Sequence, residues 1–193
     1  MDWLDQAISC LEQAHFAQAL VSINQHLTKN PTDRDAQLLS ALIHESLENY
    51  DTVFEILNQL QPTESDEAEY QGVYYTILGE TCHYRGLFED AISAYNQLIE
   101  LFPEEASGYM LKGDAFKEMG KHQDAKRVYL KASRLADDPE EAFYNLALIY
   151  RAELKLEKAQ KYCKKALSLL PDDEDYLQLH ADIQGALKLK TQV

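Results

Sequence analysis

The apolar and small residues of this chain recur in columns spaced 34 residues apart. Tyr75, Tyr109 and Phe143 share one column, with Leu177 following, and Gly79, Gly113, Ala147 and Ala181 share a second. Ala91, Ala125 and Ala159 form a third, and Tyr95, Tyr129 and Cys163 a fourth. Pro103 and Pro171 stand two periods apart, with Asp137 in the slot between them. A fixed period of this length is the mark of an array of like supersecondary units.

Within one period the pattern reads as two short amphipathic helices. In the unit opening at Gly72, a first helix is expected over 73–84 and a second over 88–101. Arg85-Gly86 breaks the first, because glycine can end a helix in a left-handed conformation without Cβ strain. Glu89 and Asp90 oppose the dipole at the start of the second, and Pro103 stops it. The small columns let the two axes approach, Gly79 or Ala147 on one helix facing Ala91 or Ala159 on the other, while the aromatic columns fill the gaps between units. Carried backwards, the grid catches Trp3, Ala7, Ala19, Ile23 and Pro31 in a first unit and Ala41, Val53 and Leu57 in a second. The second is more degenerate: Gln37 takes the aromatic slot, and about four extra residues around 63–67 precede Gly72. This segment, with Asp66, Glu67 and Glu69, is a candidate hinge.

These columns resemble the tetratricopeptide repeat, and the best single match is Tyr75-x-x-Leu78-Gly79, Gly86, Ala91, Tyr95, Pro103. The resemblance covers essentially the whole chain. It implies an all-α fold, a right-handed α-α superhelix of about five hairpins plus a C-terminal capping helix. One solenoid over 1–193 is expected, with repeats near 1–33, 34–71, 72–105, 106–139 and 140–173 and the cap near 173–188. Gln184 in the cap's inner aromatic slot, with Lys188 and Lys190 at its end, suits a helix with one polar face.

The resemblance also implies that partners bind on the concave side, lined by first helices. The positions between the core columns there are Leu4, Ile8, Leu11, Leu38 and Leu42 in the first two units. Thr76, Glu80, His83 and Tyr84 follow in the third, Met110, Asp114, Lys117 and Glu118 in the fourth, and Tyr144, Asn145, Leu148 and Arg151 in the fifth. The five leading apolar residues are expected to form an exposed patch, the usual mark of an interface. The family's carboxylate clamp for chaperone tails ending in EEVD needs Lys, Asn and Arg on successive first helices. Those slots hold Thr76, Glu80, Leu111, Glu141 and Asn145, or one frame earlier Leu38, Leu42, Ile77, Ser107 and Leu111, which argues against such tails.

Composition narrows the partner. The net charge is −15, with −11 over residues 1–71 and −4 over 72–193. An acidic surface disfavours nucleic acid and anionic membranes and favours a protein segment, a peptide or amphipathic helix with basic flanks. Membrane-spanning runs, a basic leader and lipidation patterns are not found, so the expected setting is cytoplasmic. The cysteines, Cys10, Cys82 and Cys163, are odd in number and occupy inner slots, so they read as core-filling thiols.

Catalytic motifs are missing, and no enzyme activity, cofactor or metal is expected. The histidines, His15, His26, His44, His83, His122 and His180, lie in different units, with His44 on a core column. Glu104-Glu105, Asp137-Asp138 and Asp172-Asp173 recur between helices and read as linkers and N-caps. Lys155, Lys158, Lys161, Lys164 and Lys165 form a basic face on a second helix, expected on the convex side in solvent. The functional expectation is a non-catalytic adaptor holding a peptide or helix of another protein. The alternatives are a cytoplasmic chaperone of a secreted protein, like the class II chaperones of type III secretion, and a structural subunit that self-associates, as a homodimer, through the N-terminal apolar patch.

Overall fold

The computed structural model describes residues 2–190; Met1 and residues 191–193 lie outside the described part. Among the described residues the regular structure is eleven α-helices. The chain divides into two compact units, Met1–Leu101 and Phe102–Val193. In the first, α1 (Trp3–Glu12) packs on α2 (Phe16–Lys29), α3 (Arg34–Ser46) on α4 (Tyr50–Gln59), and α5 (Ala68–Tyr84) on α6 (Phe88–Leu101). In the second, α7 (Ser107–Glu118) packs on α8 (His122–Leu135), α9 (Glu140–Ala152) on α10 (Leu156–Leu169), and α11 (Glu174–Lys190) on α10.

Each hairpin turns by the same backbone device. Among the described residues those with positive φ are Ala14, Glu48, Gly86, Gly120 and Leu154, one per hairpin. Around each of them a six-to-one hydrogen bond closes the first helix, from the N–H of His15, Asn49, Leu87, Lys121 and Lys155 to the carbonyl of Cys10, His44, Cys82, Phe116 and Tyr150. A five-to-two bond from the positive-φ residue itself completes a Schellman cap. The conformation is costless for Gly86 and Gly120. For Ala14, Glu48 and Leu154 it crowds the Cβ against the following carbonyl.

The cores are built from the small and apolar columns. In the first unit, Ala7, Ala19, Ile23, Ala36 and Ile43 form one cluster, and Leu38, Ala41, Val53, Leu57, Leu60, Tyr74 and Ile77 another. In the second, Ala125, Tyr129, Leu146 and Ile149 form one, and Ala147, Ala159, Cys163, Leu179 and Ile183 another. The glycine column has a role different from the expected contact with the alanine column. Gly79 and Gly113 lie against the rings of Tyr95 and Tyr129, which cross the hairpin to reach the first helix.

Helix α5 starts five residues before the expected Val73, at Ala68. The extra residues before it form an ordered turn, held by Arg34. The Arg34 guanidinium binds both carboxylate oxygens of Asp66, donates to the carbonyl of Leu60 at 3.2 Å and lies 4.5 Å from the centre of the Tyr70 ring. Asp66 also accepts from the backbone N–H of Thr63 at 2.7 Å. The segment read as a candidate hinge is thus tied at both ends by side chains.

Candidate functional site

The first-helix face of the first unit departs from the expected patch of five exposed apolar residues. Leu38 is buried in the core at 4% exposure. Leu4 and Leu11 are half-buried against the N-terminal cluster and Leu42 against the second. Only Ile8 of the five stays exposed, at 41%. The reason is α5: Tyr74 shares a core cluster with Leu38, and Tyr70, on the helix's added turn, packs against that cluster. A shallow apolar pocket of about 320 Å³ remains, where Leu39 and Leu42 meet Tyr70 and the exposed Val73.

Further along the same two helices lies a second pocket, of about 290 Å³, lined by Glu45, Ser46, Glu48, Tyr50, Glu80 and Tyr84. Helical spacing places Leu42, Glu45 and Ser46 along one stripe of α3, and Val73, Glu80 and Tyr84 along one stripe of α5. Seven residues separate Val73 from Glu80, about 10 Å along the axis. Tyr50 and the 66%-exposed Tyr84 stack with ring centres 5.8 Å apart. Among the described residues, neither Glu45 nor Glu80 has a cation within ion-pair distance. Burial, reinforced by the Glu80 charge, pushes the Glu45 carboxyl up to about 8, against a weaker lowering by the Thr81 hydroxyl. Burial also raises Glu80. Thr76 donates to the Gly72 carbonyl, and His83 makes edge-on ring contacts with Tyr84 and Phe88.

The second unit's first-helix residues are committed to one another. Lys117 donates to Asp114 at 2.9 Å and to the buried Asn145 at 2.8 Å, and the Tyr129 hydroxyl donates to Asp114 at 2.7 Å. Tyr144 stacks on Tyr176 with centres 4.7 Å apart, and Arg151 pairs with Asp182. Met110 and Leu148 are half-buried against their clusters, and Glu118 is exposed.

Glu45, Tyr50, Tyr70 and Val73 were missed by sequence reasoning, although a signal existed. The offset from the second to the third unit is 38 residues, so His83 and Tyr84 carry back to Glu45 and Ser46. Two other expectations are corrected. Cys10 is only half-buried, because it lies on the terminal hairpin, which packs against a neighbour on one side. Cys82 and Cys163 are buried, and desolvation lifts both thiols to about 11, so they are unreactive near neutrality. His44 is half-buried at the end of α3, within 3.4 Å of the Asn49 amide. The lysines read as a solvated basic face, Lys155, Lys158, Lys161, Lys164 and Lys165, are all exposed, and three of them lie over rings, Lys158 over Tyr150, Lys161 over Tyr162 and Lys165 over Phe143.

Among the described residues, no three His, Cys, Asp or Glu side chains converge as a metal site would need. Among the described residues no helix is long and apolar enough to cross a membrane.

Comparison with known proteins accords with the hairpin geometry. Models of the tetratricopeptide repeat match residues 84–117, 106–139 and 140–173. The human protein O-mannosyl-transferase TMTC3 is 35% identical over 85 residues, 43% of this chain but only 9% of that protein. The crystal structure of PilW, a widely conserved type IV pilus biogenesis factor, superposes with a TM-score of 0.81 at 22% identity, covering 96% of this chain and 84% of that one. The MamA protein gives 0.69 at 23% identity, covering 86% and 88%. At such identity the likeness is one of fold. Two of the matched models, over 106–139 and 140–173, keep the register of the 34-residue period, the third overlaps the end of one unit and the start of the next, and over residues 84–173 the chain belongs to the tetratricopeptide repeat family.

Proposed function

We propose that this protein is a non-catalytic interaction scaffold that holds a basic, partly apolar segment of a partner protein on the α3–α5 face of its first unit. The observation that carries this reading is the pair Glu45 and Glu80, two half-buried carboxylates without a cation, beside the stacked rings of Tyr50 and Tyr84. Burying carboxylates without partners is costly. An arriving Lys or Arg side chain would offset that cost and gain a cation–π contact with the exposed Tyr84. The Leu42–Val73 pocket, about 10 Å away, would take an apolar side chain, three residues distant in an extended segment at about 3.3 Å per residue. The −15 net charge would steer such a segment toward the chain.

A fluorescein-labelled peptide with Arg three residues from Leu tests this by anisotropy. Binding is expected to tighten as pH rises through about 8, because the incoming cation must displace the proton on Glu45. Glu45→Gln with Glu80→Gln should weaken binding about tenfold, and Glu12→Gln with Glu55→Gln, which removes two carboxylates from exposed positions, should leave it nearly unchanged. Equal losses in the two pairs would reduce the effect to net charge and sink the proposed site.

A further inference from the structure

The second unit carries a feature of opposite sign. Residues 102–193 hold 15 Lys and Arg against 16 Asp and Glu, a net of −1. Its cations are concentrated. Lys126, Arg127, Lys131 and Arg134 of α8 face Lys155 and Lys158, at the start of α10, across an open cleft of about 560 Å³.

Two carboxylates answer these six cations. Glu153 accepts from Lys126 and Lys155, and Asp124 accepts from Arg127. The hydrogen bond from Lys126 is the main reason the Glu153 carboxyl stays below the usual carboxylate range, so that pair is ionised and closed. Lys131, Arg134 and Lys158 have no carboxylate within ion-pair distance among the described residues. The cleft therefore holds four positive charges beyond its two carboxylates. Its floor is apolar, made by Leu130 and Tyr150. The Tyr150 ring is stacked on Tyr162 with centres 5.4 Å apart, and the ammonium groups of Lys126 and Lys158 lie 5.0 and 5.5 Å from its centre. These contacts hold two of the cations at the wall before any ligand arrives, which lowers the ordering cost of binding.

We propose that this cleft docks a short acidic segment of a partner protein, with an apolar side chain on Leu130 and Tyr150 and flanking carboxylates on Lys131, Arg134 and Lys158. The charge complementarity is local, and that selects the occupant. A nucleic acid or an anionic membrane presents charge over lengths well beyond the Debye length of about 8 Å, so it meets the acidic remainder of the chain as well as the cleft. A short peptide meets the cleft alone. The cleft volume falls within the usual range of ligand sites. The site shares no residue with the α3–α5 face and takes the opposite charge, so it stands or falls independently of the scaffold's basic partner.

The test uses the full chain and a fluorescein-labelled peptide of sequence Glu-Glu-Leu-Glu-Glu, titrated by anisotropy at low and high salt. Binding is expected at low salt and should weaken with added salt. The combined variant Lys131→Ala, Arg134→Ala, Lys158→Ala should lose about tenfold in affinity while its melting temperature falls only slightly, since among the described residues the three groups make no ion pair and lose only the surface contacts of Lys131 with Tyr109 and Lys158 with Tyr150. Lys161→Ala with Lys164→Ala, outside the cleft, should bind as the wild type does. Undetectable binding, or equal losses in both variants, overturns the proposal. So does tighter binding of an oligothymidylate or of phosphatidylserine vesicles through the same three cations. Salt-sensitive self-association in sedimentation, abolished by the triple variant, would assign the cleft to a second copy of the chain and also overturn it.

Discussion

Gly79 lies against the ring of Tyr95, so that a β-carbon added at position 79 would overlap the ring edge, with Cδ1 only 2.7 Å away. Gly113 and Tyr129 repeat the arrangement in the next period. Where the second-helix residue is smaller, alanine replaces glycine: Ala147 shares a cluster with Cys163, Ala41 with Leu57, and Ala7 with Ile23. The two columns exchange volume, as close packing requires.

Gly79→Ala should therefore destabilise the protein by up to about 2 kcal/mol, because overpacking costs about 1–3 kcal/mol and the better helix propensity of alanine returns about 1. In a Tyr95→Leu background, which reproduces the Ala41–Leu57 pairing, the same substitution should become neutral or stabilising. Urea denaturation of the four proteins of this cycle measures the coupling, and additive effects would refute the volume exchange.

The positive-φ column offers a stabilising change. Leu154 is 79% exposed and has φ 57, so its side chain contributes little packing while its backbone is strained. Leu154→Gly should raise stability by about 1 kcal/mol, and Gly120→Ala should lower it by a similar amount. Thermal melts followed by circular dichroism distinguish these signs.

Stability should fall as pH rises from about 5 to 9. Burial pushes Glu45 up to about 8 in the folded chain, against 4.5 for a solvated glutamate. Across that window the folded state holds the proton more tightly than the unfolded state, so ionisation favours unfolding. The contribution is present below about 4.5 and is lost as pH passes through about 8. After allowance for partial solvation the effect is on the order of 2 kcal/mol. Glu45→Gln should flatten the decline and raise the melting temperature at pH 9. A Glu45→Gln profile parallel to that of the wild type would contradict the assignment.

Arg34→Ala should release the turn before α5. Backbone amides of residues 61–67 should exchange faster with deuterium, and limited proteolysis should cut there first, because Asp66, the Leu60 carbonyl and the Tyr70 ring all lose the guanidinium. Unchanged exchange would mean that the turn is ordered without it.

Much of the fold was legible before any coordinates. Ala125, the third-column residue, is fully buried, and Gly86 turns its hairpin at positive φ as its place in the period implies. The Schellman caps at Ala14, Glu48 and Leu154 were hidden because their residue types do not announce a left-handed backbone. The site was less legible. Leu38 was read as exposed because the period gives it a first-helix position, yet the extra turn of α5 covers it. Asp114, Asn145 and Arg151 read as free groove residues, yet each has a partner on another helix.

The unit, its register and its helices could be read along the chain, because close packing of helix pairs demands small residues at fixed intervals and leaves a periodic record. Which charged groups remain without a counter-charge was settled by packing between helices. Ion pairing depends on distances between helices far apart in the chain, and no column of the repeat encodes whether Glu45 and Glu80 meet a cation or Lys158 meets a carboxylate. That unpaired charge, acidic on α3 and α5 and basic between α8 and α10, is where partner recognition is expected to reside.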